Sequence, residues 1–189
     1  EVVETAKIKQ LTPATPKVKS VETTSSGVKV TWGKVSGADK YLVYRKTYNS
    51  KTKKWSGWSA LTNKATSSSY TDKTAKSGTY YTYTVKAQNE AGYSGYTSGL
   101  KTYFLSTPKL SSVTSSKSGV TVKWGKVTGA SGYYVYRKTT GGWKKITTVK
   151  GNSKITYLDK TAKKGITYKY TVKAYYTSSV SYYNTKGLT

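Results

Sequence analysis

The chain contains two copies of one pattern, and this limits its possible folds more than any single motif does. Thr15-Pro16-Lys17-Val18 recurs as Thr107-Pro108-Lys109-Leu110, an offset of 92. At that offset Gly27-Val28-Lys29-Val30-Thr31-Trp32-Gly33-Lys34-Val35 matches Gly119-Val120-Thr121-Val122-Lys123-Trp124-Gly125-Lys126-Val127, and Val43-Tyr44-Arg45-Lys46 matches Val135-Tyr136-Arg137-Lys138. Tyr83-Thr84-Val85-Lys86-Ala87 then matches Tyr170-Thr171-Val172-Lys173-Ala174 at an offset of 87. The drop from 92 to 87 places five extra residues in the first copy between Lys46 and Tyr70, around Lys51 to Trp58. A repeated unit of this kind is one fold used twice. The 189 residues divide into a lead, 1–14, a first domain, 15–102, and a second domain, 107–189.

Each copy reads as all-β. Val28, Val30 and Trp32 alternate with Lys29 and Thr31, the period of a strand buried on one face. Tyr41 and Val43 alternate with Leu42 and Tyr44, and Tyr81, Tyr83, Val85 and Ala87 alternate with Thr82, Thr84 and Lys86. Turn signals such as Ser36-Gly37-Ala38-Asp39, Ser77-Gly78 and Glu90-Ala91-Gly92 separate the runs. No apolar stripe has helical spacing and length. Several short strands in about 90 residues suggest a sandwich.

The run Thr79-Tyr80-Tyr81-Thr82-Tyr83-Thr84-Val85-Lys86-Ala87-Gln88-Asn89-Glu90-Ala91-Gly92 resembles the F-strand signature of fibronectin type III domains. The resemblance implies two tandem seven-stranded immunoglobulin-like sandwiches joined by a short linker. It puts Trp32 and Trp124 in the family's core-Trp position and makes Tyr81 and Tyr168 the tyrosine-corner residues. In the second copy Tyr175-Tyr176-Thr177-Ser178 replaces the Asn-x-x-Gly turn. The Lys-heavy outer faces are similar to modules in secreted or cell-wall proteins of Gram-positive bacteria. Membership implies a non-catalytic spacer, adhesion or binding unit and an extracellular location, secreted or wall-attached. It implies no particular ligand, because function lives in sites rather than in folds.

Composition excludes much chemistry. The chain has no His and no Cys, so a Ser-His-Asp triad, a Cys nucleophile, the usual structural zinc and a disulfide are all ruled out. Seven acids leave little for a calcium cage and form no catalytic pair. The expectation is a protein that is not an enzyme and uses no cofactor or metal. No apolar run approaches the ~20 residues of a membrane span. The opening Glu1-Val2-Val3-Glu4, without an initiator Met, reads as part of a longer protein, and the piece itself is expected to be a monomer.

Charge and aromatics point outward. Lys+Arg number 33 against 7 Asp+Glu, a net charge of +26, and only Arg45 and Arg137 are arginine. Such a surface favours solubility and attracts polyanions. The expected partner is an anionic polymer or glycan on a cell surface. Sequence-specific nucleic-acid binding is not expected, because Arg forks and a groove-entering helix are missing. Alternation places Tyr41, Tyr81, Tyr83, Tyr133, Tyr168 and Tyr170 toward the core, and Tyr44, Tyr80, Tyr134 and Tyr136 toward solvent beside lysines. Such a Tyr/Lys face is either cross-strand packing or a shallow glycan platform.

Trp55 and Trp58 fall in the extra segment with Lys53 and Lys54, and Trp143 follows Gly141-Gly142 beside Lys144 and Lys145. These three Trp either cap the open edge of each sandwich or form a binding site on it. Asp72 and Asp159 precede Lys-Thr-Ala and are suited to bonding the turn backbone. Tyr103, Phe104 and Leu105 are costly to expose and are expected to pack between the domains. The resulting expectation is a spacer with weak adhesion. The alternatives are a carbohydrate-binding module using exposed Trp and Tyr, or a targeting module of an upstream secreted hydrolase.

Overall fold

A computed structural model describes residues 11–189, and all their regular structure is strand. In the first repeat β1 (Val18–Thr24), β2 (Gly27–Trp32) and β6 (Ser69–Asp72) form one antiparallel sheet. The facing sheet is built on β3 (Lys40–Asn49) paired with β7 (Thr79–Asn89). It is extended by β4 (Lys54–Trp55), β5 (Ser59–Ala65), β8 (Gly92–Tyr93) and β9 (Leu100–Phe104). The second repeat has the same plan. β10 (Leu110–Ser116), β11 (Gly119–Trp124) and β14 (Thr156–Asp159) face β13 (Gly142–Lys150), β12 (Gly132–Thr139), β15 (Lys169–Tyr176) and β16 (Ser179–Val180).

The cores follow from the alternation. Val28, Val30, Trp32, Tyr41, Val43, Tyr81, Tyr83, Val85 and Ala87 are buried together, and Val122, Trp124, Tyr133, Val135, Tyr170, Val172 and Ala174 repeat the set. The two Trp sit edge-on to Tyr41 and Tyr133, with centroids 5.4 and 5.3 Å apart. Those Tyr hydroxyls in turn accept the backbone N–H of Val35 and Val127.

Asp72 and Asp159 have a larger role than turn-making. Each does accept the turn N–H of Thr74 or Thr161. Each is also wholly buried and paired with one of the two arginines, Arg45 at 2.6 Å and Arg137 at 2.9 Å. Tyr83 and Tyr170 donate their hydroxyls to the same carboxylates at 2.8 and 2.9 Å. The sequence separates these partners widely, so their meeting was not legible in it.

Two expected placements differ. Tyr81 is buried and accepts the Lys76 N–H at 2.8 Å, but Tyr168 is only half-buried and accepts the Lys163 N–H at 3.4 Å. The cause is pairing. β9 runs along β7 from Tyr83↔Leu100 to Thr79↔Phe104, whereas the corresponding contact of β15 is the single bridge Tyr170↔Leu188. Phe104 is the second difference. It fills the core of the first sandwich, while its neighbours Tyr103 and Leu105 join the core cluster of the second. Consecutive residues of a strand face opposite ways, so the three could not share one surface.

Tyr103 and Leu105 form the joint between the repeats. Tyr103 stacks on Tyr176 at 4.3 Å, packs on Tyr80 at 4.6 Å, and donates its hydroxyl to the Gly129 carbonyl. Ser77 Oγ donates to the Thr128 carbonyl at 2.8 Å and accepts the Ser106 N–H. Gly78 and Gly129, both at positive φ, meet backbone to backbone, and a side chain on Gly129 would run into Gly78. Leu105 is fully buried.

Candidate functional site

Two aromatic–lysine clusters lie on the outer faces of the β3–β7 and β12–β15 sheets. In the first, Tyr44, Trp58, Thr84, Lys86 and Tyr96 line a cleft of about 200 Å³. Tyr44 and Thr84 are cross-strand partners. Trp58 and Tyr96 meet edge-to-face, with centroids 5.9 Å apart and planes at 75°. Lys46 Nζ stands 4.7 Å from the Trp58 ring centre, and Lys86 Nζ 5.0 Å from that of Tyr96.

The second cluster repeats the first. Tyr136 and Thr171 are cross-strand partners. Trp143 and Tyr183 meet edge-to-face at 6.3 Å and 80°. Lys173 Nζ lies 4.6 Å from the Tyr183 ring centre and 5.6 Å from that of Tyr136. Burial pushes the Tyr136 phenol above its ordinary pKa, with Tyr134 and Tyr183 adding to the effect, so it stays a hydroxyl donor. The edge of the Trp143 ring lies against Gly187, where a side chain would collide with it.

Tyr96 and Tyr183 sit in irregular chain, yet both copies pin them identically. Ser94 and Ser181 accept the N–H of Ala87 and Ala174 at 2.8 Å and donate to the carbonyls of Gly95 and Tyr182. Thr84 and Thr171 donate to the carbonyls of Thr97 and Asn184. Sequence reasoning missed both Tyr. They were detectable through the repeat, since they keep the offset of 87 that relates Ala87 to Ala174.

The expected binding residues therefore divide. Trp58, Tyr44, Trp143 and Tyr136 come together in the two clusters. Trp58 is no part of an insertion: it takes the place of Trp143, which pairs with Lys138, the counterpart of the Lys46 that covers Trp58. Trp55 goes elsewhere. It pairs with Tyr48 on the tongue formed by β3 and β4, their rings 5.3 Å apart, and Lys101 lies over both Trp55 and Tyr80. An aromatic ribbon so runs from Trp55 through Tyr48 and Tyr80 to Tyr103 and Tyr176 at the joint. Tyr134 stacks on Tyr175 at 4.6 Å with Lys145 above it. Lys53, Lys54 and Lys144 are exposed around these groups, with Lys53 and Lys54 on the tongue.

Electrostatically the faces are one-sided. Glu22, Asp39 and Glu90 are exposed, and among the described residues the only ion pairs are Arg45–Asp72 and Arg137–Asp159. No described lysine has a described carboxylate within 4.0 Å. Among the described residues no group of three or more His, Cys, Asp or Glu is placed to hold a metal, and no helix is long and apolar enough to cross a membrane.

Residues 17–102 match the family described as fibronectin type III domain, SaeA third domain. The first repeat is a fibronectin type III domain. The second repeat keeps the pairing and register of the central strands, so the chain carries two sandwiches of one plan. No curated protein matches it. Among solved structures it is similar to a two fibronectin type III domain segment of chicken tenascin, at 20% identity and a TM-score of 0.45, covering 91% of this chain and 95% of that one. It is also similar to the FN1–FN3 domains of chicken CNTN1, at 19% identity and a TM-score of 0.35, covering 92% of this chain and 64% of that one.

Proposed function

We propose that this tandem pair is a non-catalytic spacer of an extracellular bacterial protein that adheres weakly to anionic cell-wall or host glycan surfaces. The observation that supports this most directly is the segregation of charge. The two buried carboxylates occupy both arginines, and the described lysines have no partner among the described carboxylates, so their field faces outward. Compact, strongly hydrated ammonium groups spread over a rigid sandwich attract a polyanion without reading its detail. The bonded, packed joint between the repeats suits a spacer, because it resists bending where a Gly/Ser linker would not.

Adsorption tests the reading. Raising salt from about 0.1 M to about 1 M shortens the screening length from ~10 Å to ~3 Å. The pair is expected to be retained at low salt on heparin and on Gram-positive walls carrying teichoic acid, and released at high salt. Cellulose, starch and walls stripped of teichoic acid should retain little. No retention on any anionic polymer at low salt would remove the adhesive half of the proposal.

A further inference from the structure

Built on the charge-driven adhesion just proposed, a more specific site can be located. We infer that the two clusters Tyr44/Trp58/Lys86/Tyr96 and Tyr136/Trp143/Lys173/Tyr183 are equivalent binding sites for acidic saccharide units. In each, the sugar ring lies against the Trp–Tyr corner and its anionic substituent is held by the lysine.

Three features lead to this class of ligand. The corner is made of two aromatic rings nearly perpendicular to each other, at 75° and 80°, with a Tyr hydroxyl and a Thr from the underlying strands beside it. A concave apolar surface with a few convergent polar groups is the usual form of a small-ligand site. Lys86 and Lys173 rest on the Tyr faces with no described carboxylate to bind, so each ammonium can accept an anion while the ring remains at its side. A charge-assisted hydrogen bond of that kind is about twice as strong as a neutral one. A neutral sugar would leave it unused, and a bare phosphate would leave the rings unused.

The third feature is the selective repetition. The neighbouring outer-face residues change freely between copies: Leu42 faces Lys86 where Tyr134 faces Lys173, and the tongue carrying Trp55 exists only in the first. The Trp, the two Tyr, the Thr and the Lys return in register, and both Tyr-bearing segments are tied down by the same Ser and Thr bonds. Simple covering of a sheet would not require one corner geometry twice on a face whose other members differ.

The five indole N–H signals in an NMR spectrum provide the readout, with buried Trp32 and Trp124 as internal controls. The probes are tetragalacturonic acid, the neutral sugar maltotetraose and inorganic polyphosphate. Tetragalacturonic acid is expected to shift the Trp58 and Trp143 signals while Trp32 and Trp124 stay in place, and the neutral sugar should shift them at least tenfold more weakly. Lys86→Gln should weaken the Trp58 response about tenfold and leave Trp143 unchanged, and Lys173→Gln should do the converse. Trp58→Leu keeps an apolar cover on the sheet and should abolish binding at the first site alone. Equal responses to polyphosphate and to the acidic sugar, or full binding by the Lys86→Gln and Lys173→Gln variants, would overturn the assignment. Salt-sensitive adsorption could still persist in that case. Loss of adsorption on every polyanion would instead strike at the adhesive reading beneath it.

Discussion

At the residue scale the pair depends on two buried carboxylates, one in each sandwich. Burial by itself opposes the charge on Asp72, but hydrogen bonds from Thr74, Tyr83 and Arg45 outweigh it and hold the carboxyl below its usual pKa. Asp159 is held low in the same way, against burial, by Thr161, Tyr170 and Arg137. A lowered folded pKa contributes stability that is present above the unfolded value, about 3.9, and is lost as pH falls through the folded value. Both domains should therefore lose melting temperature in acid below about pH 4, and Asp72→Asn should blunt that loss in the first domain alone.

Tyr83 and Tyr170 give the opposite dependence. Burial and the adjacent carboxylates push their phenols well above the ordinary value, so their contribution persists below about pH 10 and fades above it. Truncation is harsher than titration. Asp72→Ala leaves the partly exposed Arg45 guanidinium and the buried Tyr83 hydroxyl without their acceptor, and should cost the first domain about 3 kcal/mol in urea unfolding. A cost below about 1 kcal/mol, the worth of a surface pair, would show that the network is not the anchor described here.

At the scale of elements, β4 and β9 of the first sandwich have no counterpart among the described strands of the second, and β9 has the larger effect on the core. β9 covers Thr79–Tyr83 of β7, while Ile166, equivalent to Thr79, is 56% exposed and Tyr168 lacks a strand partner. A groove of about 270 Å³ lined by Val113, Val120, Ile166 and Tyr168 stands where Phe104 sits in the first copy. Phe104→Ala should open a corresponding groove in the first sandwich, speed amide exchange at Tyr81, and cost that domain about 3 kcal/mol in urea unfolding. Unchanged exchange at Tyr81 in that variant would refute the link drawn between the β9 contact and the burial of the corner Tyr.

The same comparison shows what could be read from the sequence. Alternation identified the strands, and it placed Trp32, Tyr41, Tyr83, Tyr133 and Tyr170 inside, because period-2 burial is a local property. It failed for Tyr168, whose burial depends on a distant strand. It also failed for Trp58, whose neighbours are set by hairpin register and not by chain order. Phe104 lies in an apolar run that looks like one patch for the joint, yet strand alternation turns it into the first core and its two neighbours into the second. The Arg–Asp–Tyr networks and the corners made with Tyr96 and Tyr183 join residues from separate strands and irregular chain, beyond the reach of any local pattern.

For the whole molecule the decisive feature is the joint, because two domains hold their relative position only as well as their junction resists rotation. Here resistance comes from groups that serve both sides at once. Tyr103 lies on β9, which belongs to the first sandwich, yet its ring stacks on Tyr176 of the second and its hydroxyl is bonded to Gly129. Leu105, next but one along the chain, is buried in the second core. Domain rotation must therefore break a ring stack and expose a buried Leu, and does not simply bend a free linker. Stacked aromatic pairs contribute about 0.5–1.5 kcal/mol beyond their buried area, and a buried Leu about 1.5–3 kcal/mol. A double variant Tyr103→Ser, Leu105→Ser is thus expected to broaden the interdomain distance distribution measured between spin labels on the two sandwiches, while the first domain's melting temperature stays near that of the parent. Phe104→Ser should do the reverse: it empties the first core and lowers that domain's melting temperature by several degrees. If the double variant kept the parent's narrow distribution, stiffness would have to reside in the Ser77–Thr128 bond and the Gly78–Gly129 contact alone. A Gly129→Val substitution, which forces those two backbones apart, would then be the change that loosens the pair.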